Sequence, residues 1–171
     1  YHYMIGLKAE QEELIKKAGN TTIHHGSTIT NNTINLNSYG KEDLSHITES
    51  FKTQLIKGPF KMIPKMIEAV HFNENKPENN NISLPNKNGK YMKVFKSGKW
   101  TYCNKNEVID ELMENNYYIL DSHYDDTGEE LSNIQKKRYK KFKDKYDEGD
   151  LEKETKDEIN LVLLNSSNDN V

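Results

Sequence analysis

Arginine is almost missing from this sequence: of 24 basic residues, 23 are lysine and Arg138 stands alone. That scarcity excludes recognition built on several bidentate guanidinium contacts to phosphate or guanine, because lysine is a point charge without the planar fork. Cysteine is as scarce. Cys103 by itself rules out an intramolecular disulfide and any cysteine-rich zinc module. No apolar run approaches the roughly 20 residues that span a bilayer, and nothing at the start resembles a secretory signal. No membrane partner is expected. Apolar residues make up only 33% of the chain, against 30% charged. That composition supports one core of about 90 residues with polar extensions, not two full domains. The formal charge of -3 argues against a chain-wide attraction to nucleic acid and leaves room only for a local basic patch. Walker and Rossmann glycine patterns are absent, as is any defensible Ser–His–Asp or Cys–His pattern. No cofactor is expected, and the chain reads as non-enzymatic.

What is abundant is asparagine, 21 residues in all, alongside the lysines. Both are encoded by adenine- and thymine-rich codons, so the bias reads as genome composition. It also accounts for the glycosylation sequons at Asn20, Asn31, Asn81 and Asn165, which an asparagine-rich chain acquires by chance, and an intracellular protein is expected. Beginning at Tyr1 and not at Met, the sequence reads as a piece of something longer.

Residues 1–19 look like the end of a coiled coil. Met4, Leu7, Gln11, Leu14 and Ala18 alternate spacings of three and four, with Gln11 interrupting the seam and Gly6 weakening the helix. A single amphipathic surface helix is the competing reading, since so few heptads do not decide. Residues 20–38 form a Thr/Asn-rich extended segment: 11 of residues 20–37 are Asn, Thr or Ser, punctuated by Ile23, Ile29, Ile34 and Leu36. Such a strand is either a linker or pairs with copies of itself. His24 and His25 point to opposite faces of a strand and read as solvated.

Residues 39–126 carry the pattern of an α+β core domain. Gly40-Lys41-Glu42-Asp43-Leu44 predicts a helix start, with Leu44, Ile47, Phe51 and Leu55 as its apolar stripe. After Lys57-Gly58-Pro59, a second stripe runs through Phe60, Ile63, Ile67 and Val70, with Pro64 tolerated only near a helix start. A polar loop leads to Ile82-Ser83-Leu84, then to strands Lys90–Phe95 and Lys99–Tyr102 joined by Lys96-Ser97-Gly98. Tyr91, Phe95, Trp100 and Tyr102 are expected to supply the aromatic packing of this three-stranded antiparallel sheet. Asn104 and Glu107 predict the next helix start, with Val108, Ile109, Leu112 and Met113 as its buried face; residues 117–124 continue it or open another helix. Residues 127–171 read as a charged helical tail, with one helix carrying Leu131, Ile134, Phe142 and Tyr146 on the outside, another over 151–164, and seven disordered terminal residues. The expected fold is helices packed on one face of a small antiparallel sheet.

Three patterns invite a chemical reading. His71-Phe72-Asn73 with Asn79 and Asn81 suggests an HNH-like metal-dependent nuclease, yet a hairpin stands where the metal-binding helix belongs and no second histidine follows at the right distance. The competing reading has His71 and Asn73 capping the preceding helix. Lys136, Lys137, Arg138, Lys140, Lys141 and Lys143 interleave with Tyr139 and Phe142, a pattern able to contact phosphates and stack a base; flanking acids favour a solvated helix face. Asp121, His123, Asp125 and Asp126 cluster without defined metal-ligand spacing, and no metal is expected there.

Tyr39-Gly40-Lys41-Glu42-Asp43-Leu44, Pro64-Lys65-Met66-Ile67 running into His71-Phe72-Asn73, Pro77-Glu78-Asn79-Asn80-Asn81-Ile82 and Lys99-Trp100 together resemble the C-terminal domain of uncharacterised proteins of nucleocytoplasmic large DNA viruses, the mimivirus-like giant viruses. The match covers roughly residues 39–125. In that family a zinc finger or other module often precedes a coiled coil, a Thr/Asn-rich segment and this domain, and no catalytic residues carry over. The resemblance implies a location in host cytoplasm or viral factory, with the virion as a further destination. The expectation is an oligomerisation and interaction domain. Met4, Leu7, Leu14, Ala18, Ile23 and Ile29 would join copies as a homo-dimer or trimer, with another protein as partner. Nucleic-acid binding through Lys136, Lys137, Arg138, Lys140 and Lys141 is the alternative.

Overall fold

A computed structural model describes residues 33–167. The expected oligomerisation positions Met4, Leu7, Leu14, Ala18, Ile23 and Ile29 lie outside the described residues. The chain forms two compact units, Tyr1–Asn35 and Leu36–Val171. Of the first, only residues 33–35 are described, and they carry no helix or strand.

The second unit is an α+β fold. Among the described residues it runs α1 (Glu49–Lys57), α2 (Met62–His71), β1 (Ile82–Ser83), β2 (Tyr91–Lys96), β3 (Lys99–Asn104), α3 (Lys105–Thr127), α4 (Asn133–Asp147) and α5 (Glu152–Ser167). The strands form one antiparallel sheet in the order β1-β2-β3. Ile82 pairs with Val94, and β2 and β3 pair from Tyr91↔Asn104 to Lys96↔Lys99. That register leaves Ser97 and Gly98 as a two-residue turn, both at positive φ (53° and 76°). Positive φ at both central residues gives the turn a twist that matches the strands it joins.

Helix α1 starts later than the apolar stripe suggests. Thr48 caps it by accepting from the Phe51 amide, and residues 39–47 are turns and irregular backbone. The reason is local competition. Asp43 Oδ1 accepts from the Ser45 amide at 2.9 Å, while Asn79 takes both the Asp43 amide (3.0 Å) and its carbonyl (2.7 Å). Backbone groups so engaged are not free for a helical ladder. Pro64 is the third residue of α2, in a first turn whose N–H groups have no intrahelical acceptor, so it costs no hydrogen bond. Asn104 caps α3 by accepting from the Glu107 amide at 3.1 Å, and the helix runs unbroken through residues 117–124.

Helix α3 is the central element, packing on α1, α2, α5 and on β2 and β3. Ile56, Met62, Met66, Ile67, Met92 and Leu120 are fully sealed between these layers. Residues 127–167, expected as a charged tail, are helical and charged outward, and they put Tyr139, Phe142, Ile159 and Leu163 into the same core. Ser132 and Gln135 form a complete capping box at the start of α4. Aromatic rings join α4 to α3: Tyr124 stacks on Tyr139 at 3.8 Å and Tyr117 on Tyr146 at 3.9 Å between centroids. The final helix extends through Asn165–Ser167, residues expected to be disordered.

Candidate functional site

Three places bear on function: the junction around His71, the basic run on α4, and the outer face of the sheet.

His71 ends α2 and is buried. Its Nδ1 lies 2.9 Å from Asn81 Oδ1 and 3.2 Å from the Asn79 carbonyl. Both are acceptors, so Nδ1 carries the proton and donates. The Asn81 Nδ2 group in turn donates to the Asn37 carbonyl (3.1 Å) and to Glu42 Oε1 (2.9 Å). Asn79, equally buried, accepts at Oδ1 from Asn37 Nδ2 and the Asp43 amide and donates from Nδ2 to the Asp43 carbonyl. Burial holds the imidazole pKa below its ordinary value, opposed by the Glu42 charge and the Asn81 and Asn79 contacts. The Asp43 carboxyl is pulled down to about 2 by the Ser45 amide and then by Lys76.

These groups clamp the segment around Asn37–Asp43 onto the loop after α2. A cavity of about 300 Å³ opens beside them, lined by Glu68, His71, Phe72, Asn73, Glu74 and Asn80 among others. The expected capping of α2 by His71 and Asn73 takes another form: His46 Nε2 approaches the Ala69 carbonyl at 2.7 Å, and Asn73 Oδ1 accepts from the Asn75 amide. Among the described residues no group of three or more His, Cys, Asp or Glu is placed to hold a metal ion. The Asp121–Asp126 cluster is drawn apart: Asp121 accepts from the Tyr139 hydroxyl (2.8 Å) and pairs with Lys143, while His123 sits between Glu49 and Thr53. Asp121 and, above all, burial raise the Tyr139 pKa.

The structure spreads the basic run over different tasks. Arg138 donates to the Lys57 carbonyl at the end of α1 (3.2 Å), Lys136 pairs with Glu129, and Lys143 pairs with Asp121. Lys137, Lys140 and Lys141 remain exposed. Tyr139 and Phe142, the aromatics that a base would need, are buried.

The sheet holds the surface that residue patterns did not single out. Met92 and Val94 face the core, with Thr101 and Cys103 opposite them. The alternate residues form the other face in three cross-strand pairs: Tyr91 with Asn104, Lys93 with Tyr102, Phe95 with Trp100. The aromatics expected to pack this sheet lie largely in solvent, Tyr91 58%, Trp100 42% and Tyr102 64% exposed. Phe95 meets Trp100 edge to face at 5.8 Å, and Lys93 Nζ lies 5.0 Å from the Tyr102 ring centre. One helix layer covers one side of the sheet; on the other the large rings remain accessible. A sequence signal was present: residues 79–106 contain six lysines and no Asp or Glu, in a chain of net charge -3.

No protein family, curated protein or solved structure matches this chain. Among the described residues no helix is long and apolar enough to cross a membrane.

Proposed function

We propose that this chain is a non-enzymatic interaction module of the giant-virus type, held as a homo-dimer or trimer through residues 3–38 and presenting its α+β unit to a partner. One observation carries the reading: Tyr91, Trp100 and Tyr102 stand exposed together on one rigid sheet face. Clustered large aromatics left in water mark contact surfaces, since their burial against a partner recovers the hydrophobic and stacking free energy that the fold leaves unused. The buried amide network gives that face a fixed frame: the Asn81 carbonyl accepts from the Phe95 amide at 2.8 Å, and the Phe95 carbonyl accepts from the Tyr39 amide at 2.7 Å. A second reading, nucleic-acid binding through α4, is supported by the exposure of Lys137, Lys140 and Lys141.

Multi-angle light scattering of the whole chain tests the assembly. The expected mass at micromolar concentration is two or three times 19.9 kDa. Removing residues 3–35, which leaves the Leu36–Val171 unit and the Asn37 contacts in place, should return it to a single copy. A monomer with those residues present would sink the assembly half of the proposal.

A further inference from the structure

We infer that the outer face of the β2–β3 hairpin binds single-stranded nucleic acid without sequence preference, by stacking bases on Tyr91, Trp100 and Tyr102 while the surrounding lysines neutralise phosphates. The inference rests on the reading of this chain as an interaction module and names the partner of that surface.

Geometry is the first support. Residues two apart on a strand point the same way, about 6.8 Å apart, and neighbouring strands lie about 4.8 Å apart. Trp100 and Tyr102 therefore make one row and Tyr91, Lys93 and Phe95 the adjacent one, on a sheet whose other side is packed on α3. An open aromatic platform of this kind suits unpaired bases, which expose both ring faces, and not a duplex, whose bases are already stacked.

Charge is the second support and decides between partners. The hairpin and its flanks carry Lys87, Lys90, Lys93, Lys96, Lys99 and Lys105, with Lys93 on the aromatic face itself and the Lys96–Lys99 pair at the turn end on the opposite face of the strands, and none forms an ion pair with a described residue. What sets the hairpin apart is that residues 79–106 contain no Asp or Glu, whereas elsewhere in the unit lysines are interspersed with acids and several, among them Lys61, Lys76, Lys136, Lys143 and Lys156, are held by carboxylates. Lys93 stands in the middle of the aromatic face, paired with Tyr102. Protein interfaces deplete lysine from their centres because its ammonium is costly to desolvate; a phosphate offsets that cost directly. The lack of arginine fits as well. Without guanidinium forks the face reads no base edge, so binding follows backbone charge and stacking.

Trp100 is the sole tryptophan, so its emission reports on this face alone. The whole chain is titrated with an unlabelled oligothymidylate of about 12 nucleotides. The expected result is saturable quenching of Trp100 at about 50 mM salt, with log affinity falling against log salt at a slope of about -2 to -3, as three or four neutralised phosphates require. The variant Tyr91→Ala/Tyr102→Ala keeps the reporter and should lose about tenfold or more in affinity. Lys93→Glu/Lys99→Glu should lose at least as much, and Lys137→Glu/Lys140→Glu/Lys141→Glu should stay within about twofold.

Circular dichroism melts establish that each variant is folded; six of the seven substituted residues are exposed and Lys93 is half-buried. No quenching up to roughly 100 µM oligonucleotide would overturn the inference. So would equal affinity for a duplex or for polyglutamate, or loss of binding in the α4 variant alone. Light scattering reads the assembly separately, so failure of the ligand and failure of the interaction module are distinguishable.

Discussion

Asn81 uses both amide hydrogens and its carbonyl oxygen without leaving the interior, bonding the Asn37 carbonyl, Glu42 and His71. A buried amide so engaged contributes little net stability but specifies position, because every alternative packing strands a polar group at a cost of about 1–3 kcal/mol. His71 adds a pH dependence. In the unfolded chain its ring titrates near 6.5, and burial lowers that value in the fold. Between the two values the unfolded state holds more protons, so stability rises with pH there; it is complete above about 6.5 and is lost as pH falls toward the lowered native value. Thermal melts at about pH 7.5, 6.5 and 5.5 should show unfolding free energy falling with acidification by up to about 1.4 kcal/mol per pH unit. His71→Gln should be less stable at neutral pH and should lack that slope; a slope unchanged in the variant would assign the effect to other groups. The residues His71 through Ile82 stand out in the sequence, yet their role does not. Their partners Asn37, Glu42 and Asp43 lie 36 to 44 positions earlier, and no spacing rule reaches that far.

At the scale of elements, capping and turn chemistry act within four residues and were mostly legible. Asn104 starts α3, Pro64 sits in the first turn of α2, and Ser97-Gly98 turns the hairpin. The start of α1 was not legible, because the Leu44–Leu55 stripe has helical spacing throughout while Asn79 claims the Asp43 backbone from a distant loop. The hairpin turn carries one local conflict: Ser97, with a Cβ, adopts φ of 53°. Asparagine tolerates that region better and favours this turn type, so Ser97→Asn should stabilise the fold by up to about 1 kcal/mol. A raised thermal midpoint checks it, and Trp100 quenching by oligonucleotide should be unchanged in the same protein. Aromatic placement was the other illegible feature at this scale. Period two says which residues share a face of β2 and β3, but not which face the helices cover.

For the whole molecule, the decisive fact is that α4 and α5 complete the core. Leu163 and Ile159 are fully buried, and α5 packs on α2 and α3. Leu163→Ala should therefore cost about 3 kcal/mol, read as a lower urea midpoint with one cooperative transition; a loss under about 1 kcal/mol would make α5 the peripheral tail its charge suggests. Charge itself is segregated, with six lysines and no acids across residues 79–106 inside a net-negative chain. The sequence by itself determined the α+β class, the hairpin and its turn, and most helix boundaries, since these depend on periodicity, capping and φ preferences within a few residues. Only the tertiary structure decided that the tail helices close the core, that residues from before α1 are clamped onto Asn79 and Asn81, the partners of His71, and that the sheet's aromatics face water. Each of those outcomes depends on which distant segment arrives to cover a surface, and burial is a property of that arrival, not of the residue that is covered.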